Sequence, residues 1–151
     1  MNSKALTYLS FLVLVVGGGL LIGLVNLPDA WYRSLAKPAF NPPDWVFGPV
    51  WTLLYAMIAV AGARTFMNFR RTAAMRLWWA ALALNFAWSP LFFGLREPAL
   101  ALIVVIGLVV SVLLYILSSW KQDGPSALLF APYLAWTSFA AVLNGAIVAL
   151  N

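Results

Sequence analysis

The chain contains no cysteine and no histidine. Without thiols there is no disulfide framework and no clue to redox compartment. Zinc sites of the Cys/His type are excluded, as are the common axial ligands of haem, His and Cys thiolate. A Ser–His–acid triad cannot be assembled. Acids are almost as scarce: Asp29, Asp44, Glu97 and Asp123 complete the set. All of them fall outside the apolar stretches. No paired carboxylates remain for general acid–base work within a membrane, and no buried acid for a proton relay. Hydrolysis and proton-coupled pumping are both disfavoured, and neither a metal site nor a cofactor is implied.

What is present is hydrocarbon. Of 151 residues, 64% are hydrophobic and 9% charged. A water-soluble domain of this size needs far more polar surface, so the solvent that explains the composition is lipid. The net charge of +5 reflects loop cations obeying the positive-inside rule rather than a nucleic-acid partner.

Five apolar stretches cover residues 6–25, 46–66, 77–95, 99–120 and 127–150. Each approaches the ~20 residues needed to cross ~30 Å of hydrocarbon. The expected fold is therefore an all-α integral membrane bundle of five transmembrane helices, forming a single transmembrane domain over residues 1–151. The first stretch is long for a signal peptide and has no small-x-small cleavage site after it. A four-helix protein with the first stretch removed is the alternative. Gly19 and Gly23 form a GxxxG pair that permits close helix approach.

The Pro-rich loop 26–44 cannot be one continuous helix, because Pro28, Pro38, Pro42 and Pro43 fix φ and remove donors. Within it, Ala30 to Lys37 can form a short helical turn at the interface. Pro49 is expected in the first turn of the second span, where a missing N–H matters least. Pro90 is expected to kink the third span near its end. With five helices, the amino-terminal side holds Lys4, Arg64, Arg70, Arg71, Arg76 and Lys121. The other side holds Arg33, Lys37 and Arg96. This bias places the amino terminus in the cytoplasm if the membrane is a bacterial inner membrane.

The fourth span is nearly featureless, whereas the second, third and fifth are not. Asn85, Trp88, Ser89 and Phe92 share one helix face, and Trp136, Ala140, Leu143 and Asn144 share another. Trp51 and Tyr55 lie one turn apart. An amide in hydrocarbon needs a partner, so Asn85 and Asn144 should point into the bundle, as interhelical glue or as part of a site. Trp45, Trp78, Trp79 and Trp120 lie near span ends and read as interface anchors. Trp51, Trp88 and Trp136 lie deeper. With Ala140 and Ala141 leaving room, these indoles outline a cavity with large flat walls, suited to a flat apolar polycycle.

Three segments, WYRSLAKPAFNPPDWVFGPVWTLLY from Trp31, LNFAWSPLFFG from Leu84 and PYLAWTSFAAVLN from Pro132, together resemble the translocator protein family. Its members are also called tryptophan-rich sensory proteins or peripheral-type benzodiazepine receptors. The segments occur in order, and the whole length fits the family. The resemblance implies a five-helix bundle, usually a homodimer, that binds porphyrins such as protoporphyrin IX and synthetic isoquinoline carboxamides. It implies sterol binding in animal members, and light-dependent porphyrin breakdown in some bacterial ones. Carried over by position, the pocket residues are Tyr32, Pro42, Trp45, Trp51, Asn85, Trp88, Trp136, Ala140 and Leu143, and the first loop is a lid over them. One departure stands out. The tail after Leu143 lacks the Tyr and the cation of the proposed cholesterol motif, which weakens the case for a sterol and fits a bacterial member.

Three functions compete. The leading one is a tetrapyrrole-binding membrane receptor or sensor, with Arg33 and Lys37 as candidate partners of the propionates. Any degradation would be photochemical, through Trp51 or Trp136, which needs no acid–base residues. The second is a transporter of porphyrin or lipid, although no inverted repeat is visible. The third is a structural or assembly protein, with Ala83 and Ala87 on a dimer face.

Overall fold

The computed structural model describes residues 3–151. Five helices are long and apolar enough to cross a membrane: α1 (Ser3–Val25), α2 (Asp44–Phe69), α3 (Ala73–Gly94), α4 (Pro98–Ser119) and α5 (Gly124–Leu150). With these spans, the chain is an all-helical integral membrane protein. The helices reach beyond their apolar stretches because a polar or basic residue does not stop a helix; α2 runs on past Arg64 to Phe69.

Packing follows the small and apolar stripe of each helix. On α4 the buried residues Ala101, Val105, Leu108, Val112, Tyr115 and Ser119 recur at the helical period. Their opposite side, with Ile103, Ile106, Val110, Leu113 and Leu117, is exposed and faces hydrocarbon. Neighbour contacts put the helices in the ring order α1, α2, α5, α4, α3, and the carboxyl half of α1 touches α3 to close it. Gly19 marks the close approach of α1 to α2, since a Cβ there would run into the Tyr55 ring. Its GxxxG partner Gly23 faces open space, so only one of the pair serves as a contact.

Two helices change pitch at identifiable places. Val13–Gly17 of α1 is a π-helical turn. Pro90–Gly94 of α3 is another, closed by Leu95 N–H donating to Pro90 O at 2.8 Å. The expected kink at Pro90 therefore takes the form of a widened turn, in which the missing proline N–H is absorbed. Arg96 then adopts φ 58°, the left-handed geometry that ends a helix, and α4 restarts at Pro98.

Two expectations need correction. Pro49 is not in the first turn of α2: the helix already begins at Asp44. Its missing N–H thus leaves the Trp45 carbonyl without its usual donor. Trp78 is no interface anchor. Because α3 begins at Ala73, Trp78 lies more than a turn inside, fully buried, with Nε1 donating to Ile58 O at 3.0 Å. Trp45 and Trp120 are exposed near helix ends, whereas Trp79, one residue further into α3 than Trp78, is exposed on its outer side.

Candidate ligand-binding site

At the end of the bundle that carries the 26–44 loop, the five helices do not close on one another. A cavity of about 470 Å³ remains. From α2, Phe47, Trp51 and Tyr55 line it, one helical turn apart, beside Asp44, Gly48 and Thr52. From α3 come Asn85, Trp88, Ser89, Phe92 and Phe93, and from α5 Trp136, Thr137, Ala140, Leu143, Asn144 and Ile147. The carboxyl half of α1 supplies Gly19, Gly23 and their aliphatic neighbours, while Asn26, Pro28 and Tyr32 approach from the loop.

The structure therefore brings together Tyr32, Trp51, Asn85, Trp88, Trp136, Ala140 and Leu143. Two expected residues are elsewhere. Trp45 is 74% exposed because the inward face of α2 is set by Phe47, Trp51 and Tyr55, and Trp45 is turned away from that row. Pro42 lies in the loop, where its carbonyl accepts from Asn41 Nδ2 at 3.1 Å. Ala141 packs into the core instead of the wall. The sequence reading did not single out Phe47 or Phe93, which complete the aromatic wall, or Tyr133, which is buried behind it. Spacing from Trp51 would have found Phe47.

Polar atoms in the wall are tied to one another. Tyr55 OH donates to Asn85 Oδ1 at 3.4 Å, and Asn85 Nδ2 donates to Tyr133 OH at 2.9 Å. Trp88 Nε1 donates to Asn144 Oδ1 at 3.1 Å, and Asn144 Nδ2 donates to Pro98 O at 2.8 Å. Both amides are thus satisfied, as burial demands, and they lock α3 to α2, α4 and α5. Trp136 Nε1 is the exception, buried without a partner. What the wall offers a ligand is therefore mainly ring surface. Trp88 stacks on Phe92 at 5.1 Å, Trp51 lies 5.3 Å from Tyr55, and Phe47 meets Trp136 edge-on at 5.7 Å. Asp44, at the start of α2, is the one carboxylate on the wall.

The loop is fastened over this cavity. Asp29 caps the helical turn Ala30–Ser34 by accepting from Tyr32 N–H at 3.1 Å. It also pairs with Arg96 at 2.8 Å. The Tyr32 backbone N–H and the Arg96 guanidinium together hold the Asp29 carboxyl below its ordinary value. Tyr32 is buried against Phe92 and Phe93; burial, and then the Asp44 charge, raise its phenol above the ordinary range. The Asn151 side chain grips Ala36, accepting from its N–H and donating to its carbonyl, both at 3.0 Å. Lys37 does not reach the cavity. Its ammonium donates to Tyr32 O at 2.7 Å and sits over the Tyr32 ring. Arg33 is exposed and also off the wall.

The opposite end of the bundle is closed by a polar clasp. Arg64 of α2 pairs with Asp123 at 2.6 Å and donates to Ser126 at 3.1 Å, and Ser126 also donates to Asp123. Burial opposes the Asp123 charge, but Arg64 and Ser126 hold its carboxyl below the ordinary value. Beside it, Thr65 and Tyr115 share a hydrogen bond of 2.7 Å.

A bundle of five membrane-length helices around an aromatic pocket, capped by a loop, is the architecture of an integral membrane protein with an internal cavity. Residues 10–150 match the TspO/MBR family, and the chain belongs to that family. It is 43% identical over 127 residues to the tryptophan-rich protein TspO of Archaeoglobus fulgidus, covering 82% of this chain and 81% of that one. It is 36% identical over 151 residues to the tryptophan-rich sensory protein of Cereibacter sphaeroides, covering 100% and 95%. It is 37% identical over 120 residues to the human translocator protein, covering 76% and 70%.

Proposed function

We propose that this protein is a membrane receptor or sensor whose loop-capped cavity takes a flat, apolar tetrapyrrole such as protoporphyrin IX. The observation that carries the reading is the convergence of Trp51, Trp88 and Trp136 on one cavity of about 470 Å³, a size and lining suited to a polycyclic ligand. The wall's amides are already satisfied, so recognition falls to stacking and apolar burial. The absence of His and Cys favours a metal-free ring. Isoquinoline carboxamides are accommodated by the same surface. In the light, Trp51 and Trp136 serve as electron-transfer partners of the excited ring, with dioxygen as the terminal oxidant. A homodimer with the amino terminus in the cytoplasm completes the proposal.

Titration of detergent-solubilised protein with protoporphyrin IX, followed by illumination, tests this. Saturable quenching of tryptophan fluorescence is expected. Trp51→Phe and Trp136→Phe are expected to keep affinity within a few-fold and to slow bleaching of the bound porphyrin. No quenching at all would overturn the receptor reading. Equal loss of affinity and bleaching in both variants would reduce the tryptophans to packing.

A further inference from the structure

The cavity wall carries a single charged side chain, which stacking and apolar burial leave unused. Asp44 stands in the first turn of α2 and lines the cavity at its loop end. Among the described residues its carboxylate has no ion-pair or hydrogen-bond partner. The cations at this end are held elsewhere or stand off the wall. Arg96 pairs with Asp29 at 2.8 Å. The Lys37 ammonium donates to Tyr32 O and Leu35 O and lies over the Tyr32 ring. Arg33 is exposed and lines no part of the cavity. Glu97, the remaining acid at this end, is likewise exposed and off the wall.

The Asp44 charge is felt across the loop end of the cavity. Burial first, and then that charge, raise the phenol of Tyr32, another wall residue. An apolar wall focuses such a charge into the space that it borders. Any ligand filling the cavity therefore meets a negative field at this end, with no cation on the wall to offset it.

We infer that Asp44 is a specificity residue: it favours a ligand that presents a cationic or N–H-bearing group at the loop end of the cavity, and disfavours a carboxylate there. The inference rests on the tetrapyrrole reading and narrows it. Ring surface holds the ligand, so a porphyrin diacid still binds. A ring whose side-chain acids are masked, or replaced by amines, binds more tightly.

Three porphyrins that share one ring and differ in side-chain charge test this. They are protoporphyrin IX, its dimethyl ester, and its diamide with ethylenediamine, which carries two ammonium groups. Each is titrated into the full chain in non-ionic detergent and followed by tryptophan fluorescence. Wild type is expected to bind the diamide most tightly, then the ester, then the diacid, with each step roughly threefold to fivefold, the upper scale of an exposed charge contact. Asp44→Asn is expected to bring the three affinities within about twofold of one another while leaving that of the ester unchanged. Asp44→Lys should reverse the order. Glu97→Gln, which removes an exposed carboxylate from the same end, should keep the wild-type order. Saturable but equal binding of all three by wild type would overturn the inference and leave the receptor reading standing. Failure of all three to bind would overturn both. An equal shift in Glu97→Gln and Asp44→Asn would also overturn the inference, because net charge would then suffice. So would loss of ester binding in Asp44→Asn, since Asp44 would then shape the cavity instead of choosing its charge.

Discussion

Trp78 and Gly62 form one of the two tightest glycine contacts in the bundle, beside Gly19 and Tyr55. A Cβ at Gly62 of α2 would run into the Trp78 indole of α3. The ring is fully buried and anchored through Ile58 O, so it has nowhere to move. Gly62→Ala is therefore expected to destabilise the bundle by about 1–3 kcal/mol, the usual cost of overpacking. The same change at Gly23, where a Cβ meets nothing within 4 Å, should be neutral or gain a few tenths of a kcal/mol in helix propensity. Thermal unfolding in detergent checks both, and equal effects would mean that the Trp78 contact is not limiting. Composition revealed that glycines permit close approach. It did not reveal which partner approaches, and counting Trp78 from an apolar boundary instead of from the helix start at Ala73 put it at the interface instead of the core.

The loop 26–44 is held by contacts to the rest of the bundle and not by a core of its own. Asp29 to Arg96 and Ala36 to Asn151 fasten it across sequence separations of 67 and 115 residues. The helix lengths were legible in the sequence because apolar runs are local. The loop's fastenings were not, because their partners lie in other segments and carry no pattern of their own. Lys37 illustrates this: as an isolated loop cation it invites a propionate, yet it folds back onto Tyr32 O and the Tyr32 ring. Asp29→Asn and Asn151→Ala are each expected to raise amide exchange over residues 29–36 by roughly fivefold, the scale of one lost hydrogen bond. Asp29 also sets a pH limit. Its folded value lies below the ordinary 3.8, so its fastening is fully present above pH ~3.8 and is lost as pH falls through the lower folded value. Hydrogen exchange between pH 3 and 7, corrected for intrinsic rates, should show the loop loosening only at the acid end in wild type, and no such step in Asp29→Asn.

Across the whole molecule, the two ends of the ring divide the work. One end leaves space, with its polar groups spent on joining helices around a cavity. The other end removes space, through the Arg64–Asp123–Ser126 clasp and the Thr65–Tyr115 bond. Three indoles on different helices were legible as cavity formers because each sits on a polar-aromatic helix face. The clasp was not, because Arg64 read as one more loop cation and Asp123 as a turn residue, until folding placed them 2.6 Å apart. This division has an energetic consequence. Breaking a buried ion pair from one side strands a charge, and Arg64→Gln leaves Asp123, whose side chain is 6% exposed, without its cation. The cost of Arg64→Gln should therefore be about 3–5 kcal/mol. Because the clasp and the cavity share no residue, the loss should appear as a lower unfolding temperature, with ligand affinity of the folded protein changed less than twofold. Asn144→Leu should behave in the opposite sense. It removes the acceptor of Trp88 Nε1 and the donor to Pro98 O within the cavity wall, so affinity and stability should fall together. Parallel unfolding and porphyrin titrations of the two variants read this separation directly. Matched losses of affinity in both would show that the ends of the bundle are coupled, and that closing one is a condition for shaping the other.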